Sequence, residues 1–168
     1  MTDINPETPP VAAAEARSVA PARISSMHAV VQSRLLTVGV DTLLGEVAAL
    51  LSGAQISVVV VCDGEGTMVG VITETMLVQQ LGLGHVDVFT TRASKAMACE
   101  YTVCSPADSL STVLAMMHNL GLIHVPVVDA NHRPLGVVNA RDGLRALLAA
   151  GNHEEALLRN YVMGLGYQ

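Results

Sequence analysis

Apolar positions along the chain fall into short blocks whose period switches between helix-like and strand-like, and the blocks come twice in the same order. "VDTLLGEVAALLSG" places Leu43, Val47, Leu50 and Leu51 on one helix face, with Asp41 expected to cap its start and Gly53 to close it. "ISVVVVCD" is a β-branched run, too short for a buried helix and typical of a strand covered on both sides. "DGEG" turns the chain, "TMVGVIT" returns as a second strand, and "ETMLVQQLGLG" is a second helix. Downstream, "ADSLSTVLAMMHNLG" is a helix with Asp108 at its start and Leu110, Val113, Leu114 and Met117 facing inward. "LIHVPVVD" and "PLGVVN" are strands around the turn "ANHR", and "ARDGLRALLAAG" is the closing helix.

The offset that carries Asp41 onto Asp108 also carries Leu43 onto Leu110, Ile56 onto Ile123, Val58 onto Val125, and Val60 and Val61 onto Val127 and Val128. One residue fewer in the second turn then puts Gly70 on Gly136 and Val71 on Val137. Matches at core and turn positions in one element order indicate an internal duplication. Each copy leaves one apolar face open, and pairing the copies about a pseudo-twofold axis buries both. The expected fold class is therefore α/β (α+β), two tandem repeats of helix, strand, turn, strand and helix. The expected organisation is a flexible tail over 1–22, the first repeat over 23–84, and a linker with the second repeat over 85–150. A short helix is expected around Met97. A final amphipathic helix over 151–168, through Ala156, Leu157, Tyr161 and Val162, would pack on its own domain or on another subunit.

Composition narrows the function classes. At 168 residues the chain holds one ordinary domain or two small units sharing a core. It is 51% hydrophobic but only 2% aromatic, which suits a dry aliphatic core. No apolar run approaches the ~18 residues of a membrane helix, and the N-terminus lacks the basic-then-apolar order of a signal peptide. The net charge of -6, with one lysine and scattered arginines, argues against nucleic acid, whose phosphates call for clustered cations. Cys62, Cys99 and Cys104 are odd in number and lack framework spacing, so reduced thiols and a cytoplasmic location are expected, with Cys62 a buried small hydrophobe. His118, His124 and His132 fall on a helix, a strand and a turn, without the paired spacing of a metal site. No nucleophile-base arrangement or P-loop can be defended, so neither an enzyme nor a bound cofactor or metal is expected.

Asn139 and Asp142 stand at i and i+3 where a strand hands over to a helix. A carboxylate there can accept from vicinal ribose hydroxyls, while free helix amides favour anionic groups. The same pair also reads as a plain capping arrangement, worth ~1 kcal/mol with no ligand at all. In the first copy the corresponding residues are Thr73 and Met76, and Met76 cannot accept a hydrogen bond from ribose.

The element order, the stretch V-P-V-V-D at 125–129 and the stretch G-V-V-N-A-R-D at 136–142 together resemble the CBS domain, whose last strand-helix junction reads G-h-h-[ST]-x-x-D. The two copies, from about 24 to 150, look like a stand-alone Bateman module, which implies two tandem repeats of β-α-β-β-α type. The resemblance implies adenosyl ligands (AMP, ADP, ATP, NAD or S-adenosylmethionine) in clefts between the repeats, and a flat homodimer. It places Asp142 and Asn139 in the ribose-holding role, although Asn stands where the pattern has Ser or Thr. Thr73 keeps the hydroxyl but Met76 loses the acid, so one working cleft is expected, and a weak, empty or altered second one. Ile56 and the segment from Val30 to Leu36, Leu35 included, would face the adenine, with Val137 opposite; as plain core, the same residues would need no ligand. His124, two residues before Pro126, occupies a place where the family often carries a basic residue reaching phosphate, with Ser57 as its counterpart; equally it reads as a structural histidine. Arg141 is a second phosphate candidate, or a solvated arginine at a helix start. With so little positive charge, a monophosphate or adenosyl ligand fits better than a triphosphate. The expected function is a regulatory adenosyl-sensing module that alters its dimer geometry or its contact with an unidentified protein target. The alternative is a constitutive assembly module with degenerate sites.

Overall fold

A computed structural model describes residues 20–151, and the expected tail and final amphipathic helix lie almost wholly outside them. The chain enters through a 3₁₀ turn, Ile24–Met27, and a short helix α1, His28–Ser33. The first repeat follows as β1 Thr37–Gly39, α2 Leu44–Ala54, β2 Val58–Cys62, β3 Met68–Thr73 and α3 Glu74–Gly82. A connecting helix α4, Ala93–Ala96, leads to α5 Leu110–Leu120, β4 His124–Val128, β5 Pro134–Asn139 and α6 over 140–151. The architecture is mixed α/β with two small sheets, as expected.

The two repeats correspond more closely in register than the apolar pattern indicates. Both hairpins are antiparallel, Val58 opposite Thr73 and His124 opposite Asn139, with a bulge at Val61/Cys62 and another at Val127/Val128. Both turns are closed by one aspartate. Asp63 Oδ1 accepts the amides of Glu65 and Thr67 at 2.9 Å, and Asp129 Oδ1 those of Asn131 at 2.8 Å and Arg133 at 2.9 Å. Helices α2 and α5 both span 11 residues and end in a left-handed residue, Gln55 and Gly121. These landmarks make His124 the counterpart of Val58 and Ile123 the counterpart of Ser57. The pairing of Ser57 with His124 is thus corrected by one residue, and the two turns are equal in length. An unbroken β-branched run looks the same after a one-residue slip, which is why the apolar pattern alone misplaces it.

The caps differ from expectation for a related reason. Helix α2 begins at Leu44, and the Leu43 amide donates to the Glu46 carboxylate at 3.2 Å. Asp41 lies too far upstream to cap it and instead accepts from Arg92 at 2.8 Å on the surface. Leu44, Val47 and Leu51 therefore form the buried face, while Leu50 faces outward. In the second repeat Asp108 accepts the Ser105 amide at 2.8 Å, and Ser109 takes the N-cap position.

Each repeat's core is completed by a segment that precedes the other. Ile24, Met27 and Val31 pack with Leu110, Val113, Met117, Val125 and Val138, whereas Ala93 and Ala96 pack with Leu44, Val47, Leu51 and Ile72. Gly136 is where α1 crosses β5. A Cβ there would stand 2.6 Å from the Val31 carbonyl oxygen, closer than real Cβ atoms approach. At the corresponding Gly70 the close neighbour is the Met97 side chain. Between the two sheets, Ile56, Val58, Val60 and Met68 meet Val128 and Val137 in a third apolar layer. Tyr101 and His132 close one end of it. The rings stack with centroids 6.0 Å apart, the Tyr101 hydroxyl donates to the Met68 carbonyl at 3.0 Å, and the Met68 amide donates to the His132 carbonyl at 3.0 Å.

One residue breaks the symmetry of the sheets. In the first, β1 runs parallel to β2 and the Val60 amide donates to the Leu36 carbonyl at 2.9 Å. The counterpart of Val60 is Pro126, which has no N–H to give. The segment before α5 therefore meets β4 only through Cys104, and the second sheet has two strands against three.

Candidate functional site

Thr73 and Asn139 occupy matching strand ends, and each caps the helix that follows. Thr73 Oγ1 accepts the Met76 amide at 3.2 Å, and Asn139 Oδ1 accepts the Arg141 amide at 2.9 Å. With its oxygen so engaged, the Asn139 amide nitrogen faces His124 Nε2 at 3.0 Å. The nitrogen donates, so the ring accepts at Nε2 and carries its proton on Nδ1. Protonation would remove that bond. The pKa of His124 is lowered, first by desolvation and then by the Arg34 charge, against weaker opposing effects of Glu74 and Asp142. At neutral pH the ring is uncharged.

Asp142 sits at the start of α6 with only 8% of its surface exposed, and its Oδ2 accepts Arg34 Nε at 2.9 Å. Arg145 approaches the other oxygen at 4.0 Å. Arg34 follows the C-terminus of α1, the segment that crosses from the first repeat to the second. Asn139 thus caps the helix, and the Asp142 carboxylate is engaged by a cation from α1's end. Arg141 is exposed beside it.

A cleft of ≈ 280 Å³ opens between the repeats on the Thr73 side. Its walls come from Ser57 and Thr73 of the first repeat, Glu100, Tyr101 and Thr102 of the connector, and Leu122 to His124 with Pro126 of the second. Val58 and Val71 form part of its apolar floor. At the position matching the Val60–Leu36 hydrogen bond, Pro126 has no N–H to give to the Thr102 carbonyl.

The sequence-derived residues therefore divide. Ser57, Thr73 and His124 share the Thr73 cleft, while Asp142, Asn139 and Arg141 cluster at the start of α6, with His124 bridging the groups through Asn139. Ile56, Val137 and Leu35 belong to the apolar layer between the sheets. Arg34 lies in the segment expected to face the adenine but pairs with Asp142 instead, and Glu100 and Tyr101 were not foreseen. Counting from the turn aspartates would have found Arg34 and Glu100, because the register that pairs Asp63 with Asp129 also pairs Arg34 with Glu100, and Met76 with Asp142. Among the described residues no group of three or more His, Cys, Asp and Glu could hold a metal ion, and no helix is long and apolar enough to cross a membrane.

Comparison with known proteins agrees with this fold. The chain is 26% identical over 116 residues to an uncharacterised 17.7 kDa protein of Acidianus ambivalens, covering 69% of each. A CBS-domain-containing protein of Agrobacterium tumefaciens has a similar structure, with a TM-score of 0.60 and 29% identity over 67% of this chain and 83% of that one. The CBS domain pair of protein MJ0100, solved in complex with 5′-methylthioadenosine and S-adenosyl-L-methionine, matches with a TM-score of 0.66 and 18% identity, covering 78% and 98%. The family model of the CBS domain matches twice, at residues 27–82 and 93–149, and the chain belongs to the CBS domain family.

Proposed function

We propose that this protein is a regulatory module that binds an adenosyl ligand between its repeats and transmits occupancy through the geometry of a homodimer or of a protein target. The observation that carries this reading is the pair of matched strand-helix junctions, Thr73 and Asn139, flanking a seam built from both repeats. A nucleotide at the second junction would place its ribose on Asp142 and Asn139 and its phosphate near Arg141 and the amides of α6. Its base would lie against Ile56, Leu35 and Val137. Such a ligand must draw Asp142 from Arg34, and the freed guanidinium then becomes a phosphate partner. Because α1 packs on β5, that exchange would move a segment joining both halves. At the first junction Ser57, Thr73 and His124 would meet the ligand.

Dimerisation is supported by apolar side chains exposed on the helices: Leu50, Val78 and Leu81 in the first repeat, and Leu120, Leu144 and Leu148 in the second. The same surface, with Asp142 already ion-paired, favours the second reading, a constitutive assembly module that binds no ligand. Calorimetric titration with AMP, ATP, NAD and S-adenosylmethionine separates the two. Saturable binding of at least one at sub-millimolar affinity is expected; no binding of any would leave only the assembly module. Unchanged ligand after prolonged incubation is also expected, and turnover would replace both readings with an enzyme.

A further inference from the structure

The pseudo-twofold axis relates two flanks of the seam, and they are fastened differently. The register that pairs Asp63 with Asp129 also pairs Leu35 with Tyr101, Gly66 with His132 and Met68 with Pro134. On the Thr73 flank, the Tyr101 hydroxyl donates to the Met68 carbonyl at 3.0 Å, and the Met68 amide donates to the His132 carbonyl at 3.0 Å. With its hydrogen so committed, the Tyr101 oxygen accepts from His132 Nε2 at 3.2 Å, beside the stacked rings. The Met68–His132 bond is the one main-chain hydrogen bond between the two hairpins among the described residues. On the Asp142 flank, Leu35 has no hydroxyl, Gly66 no ring and Pro134 no N–H, so the same fastening cannot form. His132 also holds a left-handed backbone, φ 60°, where Gly66 has 82°. A side chain persists in that strained region when its surroundings hold it, and the stack and bonds to Tyr101 and Met68 do so.

The flanks differ again in what closes them. Val71 lines the open Thr73 cleft, whereas its counterpart Val137 is 1% exposed. The polar tether on the Asp142 flank is the Arg34–Asp142 pair, whose guanidinium is half-exposed. Ion pairs open to water on one side are weakly held.

We infer that the repeats are hinged on one side: Tyr101, His132 and Met68 form a pivot, and the Arg34–Asp142 pair is a latch whose release opens the Asp142 flank alone. The inference goes beyond the ligand reading, because the pivot and the latch act whatever group draws Asp142 from Arg34. Val31 is packed in the second repeat's core, while the Leu36 carbonyl is bonded to the Val60 amide of the first. Leu35 lies between these anchors, and the chain bends there when the flank opens. A pivot on one side turns the loss of one ion pair into rotation of one repeat against the other, and the equilibrium shifts because the latch exists in the closed state only.

The test needs no ligand and uses the full chain. Val137→Cys places a thiol inside the Asp142 flank, and mass spectrometry reads how fast a thiol reagent modifies position 137. Adding Asp142→Ala should speed that labelling at least about tenfold, while exchange of the Met68 amide with deuterium stays as in wild type. Tyr101→Phe and His132→Gly should each speed Met68 exchange by about tenfold, as expected for loss of a buried hydrogen bond. Glycine suits φ 60°, so His132→Gly removes the ring without straining the turn. Melting curves check that each variant folds, and amide exchange at Arg34 and Leu35 with Asp142→Ala reads the latch should Val137→Cys not fold. Labelling and exchange on the Asp142 flank that ignore Asp142→Ala would overturn the latch. Met68 exchange that rises equally with Asp142→Ala, or that ignores both Tyr101→Phe and His132→Gly, would overturn the pivot.

Discussion

Asp142 illustrates how one residue can satisfy a structural and a ligand-binding account at once. It stands at a helix N-terminus, nearly buried, with Arg34 at 2.9 Å; the helix start and the ion pair stabilise the protein, and the same carboxylate is the one proposed to hold a ribose. The motif made Asp142 legible, but not its partner, because Arg34 lies 108 residues away in sequence and only the pseudo-twofold packing brings it near. Glu100 was hidden for the same reason. His124 adds a pH dependence. Its pKa is lower in the folded protein than the 6.5 of an unperturbed histidine, so below 6.5 the unfolded chain binds the proton first. Its contribution is complete above that value and is lost as pH falls through the folded pKa. Thermal melts from pH 7.5 to 5 should therefore show wild type losing more stability than His124→Gln; equal losses would contradict the assignment. Cys104, buried between the connector and β4, has its pKa pushed up to about 12, chiefly by burial and then by Asp108, and is a packing residue, unlike exposed Cys99.

At the scale of elements, the helices and hairpins were readable because apolar periodicity and turn chemistry agree over most of each repeat. Their ends and register were not. Asp41 looks like a cap by composition, but the burial of Leu44 starts the helix later. The Val run of β2 hides the register that Asp63 and Asp129 display through their turn hydrogen bonds. Nor does periodicity reveal that α1 closes the second repeat's core and α4 the first, since both segments are short. The two glycines at these crossings give a graded prediction. Gly136→Ala confronts backbone atoms of Val31 and should cost about 1–3 kcal/mol, as overpacking does. Gly70→Ala mainly displaces the flexible Met97 side chain and should cost less. Urea denaturation of both variants checks the order, and a larger loss at Gly70 would mean α1 is the looser of the two crossings.

At the scale of the molecule, two repeats that cannot bury their sheets alone create a seam, and the seam is where ligand chemistry can differ between halves. The exposed leucines on α5 and α6 belong to the same description. Leu144→Asp should shift the protein from dimer to monomer in sedimentation velocity, and a wild type that sediments as a monomer at micromolar concentration would remove dimer geometry from the account. The seam itself is tested most directly by titrating AMP calorimetrically into wild type, Asp142→Ala and Met76→Ala. One AMP per chain for wild type, at least tenfold weaker binding for Asp142→Ala and little change for Met76→Ala are the predicted results. Equal losses in the two variants, or none in either, would contradict the division of labour between the junctions.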